Sequence, residues 1–135
     1  MDIPALRAFL IEAFPQVAQD FTVERVDDAG IRVRMNVGER HLRPGGTVSG
    51  PSIFALADVG VYLLILSRLG PVALAVTTNC SIDFMRKPAA ATDLVAEARL
   101  LKLGRVLAVG DVLIHSEGTE VPVARASLTY SIPPR

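Results

Sequence analysis

The chain has 135 residues, of which 50% are hydrophobic and 21% are charged, a composition that predicts one globular domain spanning residues 1–135. Its 14 Lys and Arg residues balance its 14 Asp and Glu residues, which argues against general binding to nucleic acid or to an anionic membrane. A single cysteine, Cys80, rules out an internal disulfide, and two distant histidines, His41 and His115, argue against a metal site, so no cofactor is expected.

The first third of the chain predicts a short helix followed by a β-hairpin. Apolar residues recur at helical spacing from Ile3 to Ala13, with Asp2 placed to cap the start and Pro15 to end the helix. The segments 21–26 and 31–37 follow as two strands joined by a turn that contains Asp and Gly. The second strand alternates apolar and polar residues strictly, which predicts a hairpin with one solvent-facing side.

A Gly-rich loop leads from this hairpin into the longest apolar segment, which predicts a helix over Gly50–Leu69. Pro51 fits the first helical turn, where its missing N–H costs nothing, and Gly70 provides the stop. Because apolar residues occupy nearly every side of this helix, we expect it to be buried on nearly every side, as a central helix wrapped by a sheet would be.

Four further strands are predicted in the second half of the chain, at residues 77–84, 94–100, 105–115 and 123–130. The short connections between them favour antiparallel neighbours. The sequence therefore predicts an α+β fold with one antiparallel sheet around one long central helix and a short helix at the N-terminus.

The location of the protein is predicted from three features. The N-terminal stretch lacks the basic region and cleavage site of a signal peptide. The longest apolar run, residues 53–66, is interrupted by Asp58 and falls short of the roughly 20 residues that cross a bilayer. With its lone cysteine, the chain is expected to be a soluble cytoplasmic protein that does not enter membranes.

Asp58 stands out on physical grounds, because it lies in the middle of the apolar helix and an unpaired carboxylate in such a place costs several kcal/mol. The functional interpretation is a general base or nucleophile held in a cleft. The alternatives are that this edge of the helix is wet, or that Asp58 pairs with a distant Arg. The residue pattern alone leaves these three interpretations open.

The start of the same helix is a second candidate site. Free N–H groups at a helix N-terminus can hold an oxyanion or a polarised carbonyl oxygen, and Gly50 would let a substrate approach the backbone closely. Ordinary capping by Ser49 or Gly50 explains the same residues equally well. Among the basic residues, Arg86 with Lys87 and Arg105 lie near strand ends, where they are either solvated surface or contacts for a phosphate.

Together these features resemble the hotdog-fold acyl-CoA thioesterases of the phenylacetic-acid-pathway type. The features that carry the resemblance are the Gly-rich loop, Gly50 at the helix start, Leu56, Asp58 eight residues after Gly50, and the strand sequence AVTTNCSIDFMRKP. The resemblance extends from about residue 37 to residue 130. It implies a hotdog fold, hydrolysis of an acyl-CoA thioester, and a homodimer or dimer of dimers with the active site between subunits.

The resemblance also implies roles for individual residues. In that family the helix opens with His-Gly-Gly and the catalytic acid lies nine positions after the His, which places Ser49 at the His, Gly50 at the first Gly and Asp58 at the acid. The Gly50 N–H would polarise the thioester carbonyl. Thr77 matches a Ser or Thr that positions water or substrate. Two departures, Ser49 for the His and Arg43 for a family Asn, bear on acyl preference and rate, and Arg43 is expected near the CoA phosphates or the acyl group.

Three functions follow from these expectations. The first is an acyl-CoA thioesterase in which Asp58 activates water or attacks the carbonyl carbon directly, with Arg43, Ser49, Arg86, Lys87 and Arg105 as candidate substrate contacts. The second is a non-catalytic acyl-CoA binding module on the same fold, which would not need a poorly solvated carboxylate. The third is a hotdog hydratase or dehydratase, which would need a His beside the acid, and neither His in the chain matches that position.

Overall fold

A computed structural model gives the structure of the protein and describes residues 1–134. Within these residues the elements follow the predicted order, two helices and six strands, and the central helix has the predicted bounds. The elements are α1 (Ile3–Ala13), β1 (Phe21–Asp27), β2 (Gly30–Met35), α2 (Gly50–Leu69), β3 (Val76–Phe84), β4 (Leu94–Leu103), β5 (Leu107–Ser116) and β6 (Pro122–Ser131), with single 3-10 turns at Ala18–Asp20 and Glu39–His41.

The six strands form one sheet, antiparallel throughout, in the order β1-β2-β4-β5-β6-β3. The expectation that successive strands are neighbours is wrong for β3 and β4, because β3 pairs with β6 at the far edge while β4 lies beside β2. The cause is α2, which follows β2 and carries the chain across the sheet before β3 begins. The strand that follows α2 is therefore an edge strand, with one side of its backbone unpaired in the sheet.

The central helix α2 is buried on every side over residues 60–66, as its composition predicts, but its first half leaves a stripe partly or fully exposed at Pro51, Phe54, Ala55 and Asp58. Four consecutive residues, 63–66, are 0% exposed, and consecutive positions point in four directions around a helix. The sheet comes very close to the helix at Gly110 of β5, where an added Cβ would lie 3.1 Å from Val61 Cγ1. Although α2 is long and apolar enough to span a membrane, more than half of its apolar window packs inside the protein, so it is the core helix of the domain.

Helix α1 covers the remaining side of α2 near its C-terminal half. The Asp2 side chain caps α1 by accepting a hydrogen bond from the Ala5 N–H at 3.0 Å, and Leu6 and Leu10 are buried beneath the helix. The amino group of Met1 donates to the Ser67 carbonyl of α2 at 2.8 Å, which fixes the start of α1 against α2. As a result the end of α1 lies over the segment of α2 that carries Asp58.

Candidate active site

Asp58 is held by hydroxyl groups from two different strands. The Thr77 Oγ1 of β3 and the Tyr130 hydroxyl of β6 both lie 2.6 Å from Asp58 Oδ1, and the Tyr130 hydroxyl also lies 3.0 Å from the Asp58 carbonyl oxygen. Asp58 is half-buried, and none of the ion pairs formed within residues 1–134 includes it. A structural pair with a distant Arg therefore does not explain this carboxylate.

Strand pairing explains why Thr77 and Tyr130 meet at the same carboxylate. The two residues are directly opposite each other in the β3–β6 ladder, and opposite residues project from the same side of a sheet, here toward α2. A strict alternation along β3 would put Thr78 on the inner face with Cys80. The register instead shifts between Thr77 and Asn79, and such a bulge turns Thr77 inward while Thr78 stays exposed.

The carboxylate lies at the polar end of a cavity of about 460 Å³ between α1, α2 and the edge of the sheet. Aromatic rings line it: Phe14 and Tyr62 meet edge to face at 5.8 Å, and Tyr62 and Tyr130 stack at 6.1 Å between centroids. The full lining is Leu10, Phe14, Val17, Asp58, Val59, Tyr62, Ala73, Ala75, Val76, Thr77 and Tyr130. One acid, three hydroxyl groups and an apolar remainder suit a substrate with a reactive polar group on an apolar chain.

The charge of the cavity is set by Asp58. Burial and the nearby Asp58 raise the pKa of the Tyr130 phenol and of the Cys80 thiol, so both groups keep their protons at neutral pH. Among the residues that line the cavity there is no Lys, Arg, His or second carboxylate. Asp58 is therefore the group of this wall that can accept a proton or attack an electrophile.

The N-terminus of α2 has the geometry of an ordinary capped helix with one additional feature. Ser49 is the N-cap, and its Oγ accepts a hydrogen bond from the Ser52 N–H at 3.3 Å. The Gly50 N–H, by contrast, forms no hydrogen bond to any residue within 1–134. A Cβ at Gly50 would lie 3.5 Å from Phe84 Cζ, so the glycine faces the end of β3. The capping interpretation is correct for Ser49, and the Gly50 N–H is left available to a ligand.

The two candidate groups lie at opposite ends of the same half of α2. Gly50 and Asp58 are eight residues apart, which corresponds to about 12 Å along the helix axis. Gly50 lies beside Phe84, where β3 ends, and Asp58 lies beside Thr77, where β3 begins. Within one chain they cannot both contact one carbonyl group.

The predicted basic contacts are divided between these two ends. Arg86 and Lys87 are exposed just after β3, at the Gly50 end, and Arg86 donates to the Pro122 carbonyl at 2.7 Å. Arg105 is exposed in the turn between β4 and β5, at the end of the sheet that carries Thr77. Arg43 is exposed in the Gly-rich loop before α2.

Tyr130 is the site residue that the sequence pattern does not single out. Alternation places it on the inner face of β6, where a tyrosine is usually core. A buried tyrosine needs a hydrogen-bond partner, and the central helix α2, around which the sheet wraps, carries one carboxylate, Asp58. Combining these two facts is the one signal that could have connected Tyr130 with Asp58.

Neither histidine belongs to the cavity. His41 is buried against Asp20, and its Nδ1 accepts a hydrogen bond from the Gly38 N–H at 2.8 Å. Burial and the nearby Arg40 lower the pKa of His41, which keeps the ring neutral. His115 lies on β5, where its Nδ1 is 3.1 Å from the Ser116 carbonyl oxygen. The His that a hydratase or dehydratase would use beside Asp58 is not supplied by these two residues.

Comparison with known proteins gives the family of the chain. The model of the thioesterase superfamily matches residues 45–123, which include both glycines of the loop before α2, all of α2 and the strands β3 to β5. The chain belongs to the thioesterase superfamily. Its sheet wrapped around a long central helix, with a short N-terminal helix, is the hotdog fold, which confirms the expectation from the resemblance.

Relatives in three bacteria agree with this assignment. A crystal structure from Silicibacter sp. TM1040, provisionally named a thioesterase, is 62% identical with a TM-score of 0.93, over 99% of this chain and 93% of that chain. A Pseudomonas aeruginosa protein, provisionally named an esterase, is 33% identical over 75% of this chain and 74% of its own length. The phenylacetic acid degradation protein PaaI from Thermus thermophilus, in a mutant form, is 28% identical with a TM-score of 0.74, over 88% and 99% of the two chains. Thioester hydrolysis is the reaction that this family and these names support.

Proposed function

We propose that the protein hydrolyses acyl-CoA thioesters to a free acid and CoA, with Asp58 as general base or nucleophile. The observation that carries the proposal is the position of Asp58, anchored by two hydroxyl groups at the polar end of an apolar cavity. The acyl chain would occupy the apolar part of the cavity, with its carbonyl carbon beside Asp58. The Gly50 N–H, at the positive end of the α2 dipole, would hold the carbonyl oxygen as it becomes negative.

Two routes through this site give the same products. As a base, Asp58 takes a proton from water while the water oxygen bonds to the carbonyl carbon. The C–S bond then breaks, and the proton passes to the CoA sulfur. As a nucleophile, Asp58 bonds to the carbonyl carbon and displaces CoA as its thiolate. Water then cleaves the resulting anhydride, which restores the Asp58 carboxylate and releases the acid and the proton that the thiolate takes up. In both routes Thr77 contributes by holding the carboxylate, since its hydroxyl already donates to Oδ1.

Because Gly50 and Asp58 are too far apart within one chain, we propose that each site is shared between two copies. The strand β3 is suited to the contact, since it is an edge strand with the exposed apolar residues Val76 and Phe84 at its two ends and the exposed Met85 directly after it. The opposite edge, β1, carries Glu24, Arg25 and Asp27, charges of the kind that discourage strand addition. We therefore place the contact at β3.

An antiparallel pairing of two β3 strands centred between Cys80 and Ser81 would bring Thr77 of one copy opposite Phe84 of the other. It would also carry Gly50 and the pair Arg86 and Lys87 of the second copy to the Asp58 end of the first. Arg105 of the first copy lies at this same end. Three basic side chains would then surround one mouth of the cavity, where they could contact the CoA phosphates. Arg43 and Ser49, on the loop and cap before α2, would arrive there with Gly50.

The test is thiol release from a panel of acyl-CoAs, followed spectroscopically, with Asp58→Asn as the matched inactive variant. Release by the wild-type protein that the variant lacks supports the proposal. Tight binding of acyl-CoA without any thiol release would instead support the non-catalytic binding module and contradict the proposed enzyme.

A further inference from the structure

Tyr130 is the group in the Asp58 cavity to which the proposed reaction assigns no role. It lies on β6, is 2% exposed, and places its hydroxyl 2.6 Å from Asp58 Oδ1. A core tyrosine could satisfy its hydroxyl with a backbone carbonyl, as Tyr62 does with Ala73 at 3.1 Å in the same cavity. The Tyr130 hydroxyl instead has the side-chain carboxylate as its nearest partner, and the Asp58 carbonyl oxygen lies further away at 3.0 Å.

The two oxygens of Asp58 are made unequal by this contact. An ionised carboxylate only accepts hydrogen bonds, so the Thr77 and Tyr130 hydroxyls both donate to Oδ1. Asp58 Oδ2 accepts no hydrogen bond from residues 1–134. One oxygen is thus anchored from two strands, and the other is available to a substrate or to water.

The phenol of Tyr130 acts as a fixed donor and not as a second base. Burial and the charge of Asp58 raise the pKa of Tyr130, so the hydroxyl keeps its proton. Its ring stacks on Tyr62 with an interplanar angle of 29°, which limits its movement. The direction of the donated hydrogen bond is therefore set by packing.

We propose that Tyr130 is a positioning residue for thioester hydrolysis, which with Thr77 anchors Asp58 through Oδ1 and leaves Oδ2 as the reactive oxygen. This inference rests on the proposed function, because it assigns Tyr130 a role through Asp58.

The experiment is Tyr130→Phe, which keeps the ring and the shape of the cavity but removes the donor. A hydrogen bond to a charged group is strong enough that kcat should fall about tenfold to a hundredfold, with a smaller change in KM. The acid limb of the pH–rate profile should also move to higher pH, because the charged form of Asp58 has lost a stabilising contact. The other titratable groups that face Asp58 are Tyr62 of α2 and Cys80 of β3, and α1 contributes none.

Tyr62→Phe is the matched control, because it removes a hydroxyl from the same cavity without removing a donor to Asp58. The acid limb of the pH–rate profile of Tyr62→Phe should stay at the wild-type pH. A Tyr130→Phe protein that matches the wild type in kcat and acid limb overturns the inference. So does a fall in kcat with an unmoved acid limb and a lowered thermal midpoint, since that pattern indicates a structural role alone.

A second measurement keeps the test decisive should Tyr130→Phe fail to fold. In the Tyr62→Phe background, fluorotyrosine incorporation alters Tyr130 alone and makes its phenol a stronger donor of nearly the same shape. The acid limb should then move to lower pH, and an unmoved limb contradicts the inference. Failure of the proposed function is recognised separately, whatever Tyr130→Phe does: either the wild-type protein releases no thiol from any acyl-CoA, or Asp58→Asn hydrolyses acyl-CoA at the wild-type rate.

Discussion

The two ends of the first half of α2 are built in opposite ways. At the Asp58 end, the chain supplies its own partners, since Thr77 and Tyr130 hold the carboxylate from two strands. At the Gly50 end, the backbone N–H has no partner within residues 1–134, and Phe84 lies exposed beside it. The Asp58 end is a finished half-site and the Gly50 end an open one. This difference is what we would expect if, as proposed, each site is organised within one chain and completed by a second copy.

The largest effect should come from removing the charge at the finished end. Asp58→Asn should lower kcat by about a hundredfold to ten-thousandfold, the range for losing a positioned acid or base. The amide oxygen of Asn can still accept from Thr77 and Tyr130, so the free energy of unfolding should change by no more than about 1 kcal/mol. Steady-state kinetics and urea unfolding measure the two quantities. Near wild-type turnover would contradict the catalytic assignment, and unfolding would favour a structural role.

A mixing experiment compares the two ends directly. Gly50→Pro removes the N–H, and Asp58→Asn removes the base, so each homodimer should be inactive. When the two variants are unfolded and refolded together, about half of the dimers are heterodimers, each with one site that carries both lesions and one that carries neither. About a quarter of the wild-type activity should return. If heterodimers form with their fold intact and no activity returns, the shared site is wrong.

A smaller effect is expected at the Asp58 end when one hydrogen bond to the carboxylate is removed and its charge is kept. Thr77→Val should lower kcat about threefold to thirtyfold, because one donor to Asp58 is lost while Tyr130 keeps the other. The neighbouring Thr78 is the matched control, since it is exposed and belongs to the other face of β3. Thr78→Val should turn over acyl-CoA at the wild-type rate. Equal rates for the two variants would show that Thr77 does not contribute to the reaction.

The smallest effect should come from the cap at the open end. Ser49→Ala removes the oxygen that accepts from the Ser52 N–H, which should lower the free energy of unfolding by about 1 kcal/mol. Because Ser49 lies outside the Asp58 cavity of its own chain, and in the shared site would lie beside Gly50 without holding the carboxylate, kcat should fall less than in Thr77→Val. Urea unfolding and steady-state kinetics on the same preparation test both statements. A kcat loss larger than that of Thr77→Val would show that Ser49 acts in the reaction beyond capping.

The sequence predicts the parts of this protein that depend on local pattern. The bounds of α2 follow from Pro51 and Gly70, and its burial follows from apolar residues on every side. The sheet order does not follow, because only packing decides that β4 takes the place beside β2 and sends β3 to the edge. A local preference for short connections between neighbours carries no information about which edge remains free.

The residues of the candidate site also divide into those that the local sequence pattern predicts and those that depend on strand pairing. Asp58 could be found because a charged side chain interrupts an apolar helix, and Gly50 because it opens that helix. The local pattern around Tyr130 does not single it out, since its contact with Asp58 depends on the strand pairing that sets it opposite Thr77. The inward orientation of Thr77 was also hidden, because a bulge breaks the alternation from which orientation is read.

The bulge at the start of β3 lies between two threonines, either of which could present a hydroxyl group to α2. Thr77 and Thr78 are identical neighbours in the chain, and the bulge decides which of them faces α2. In a regular strand the inner position would pass to Thr78, about 3.3 Å further along. Either arrangement of the strand would present a hydroxyl group to the helix. With paired threonines, the inner face of this edge strand keeps a hydroxyl donor in either register.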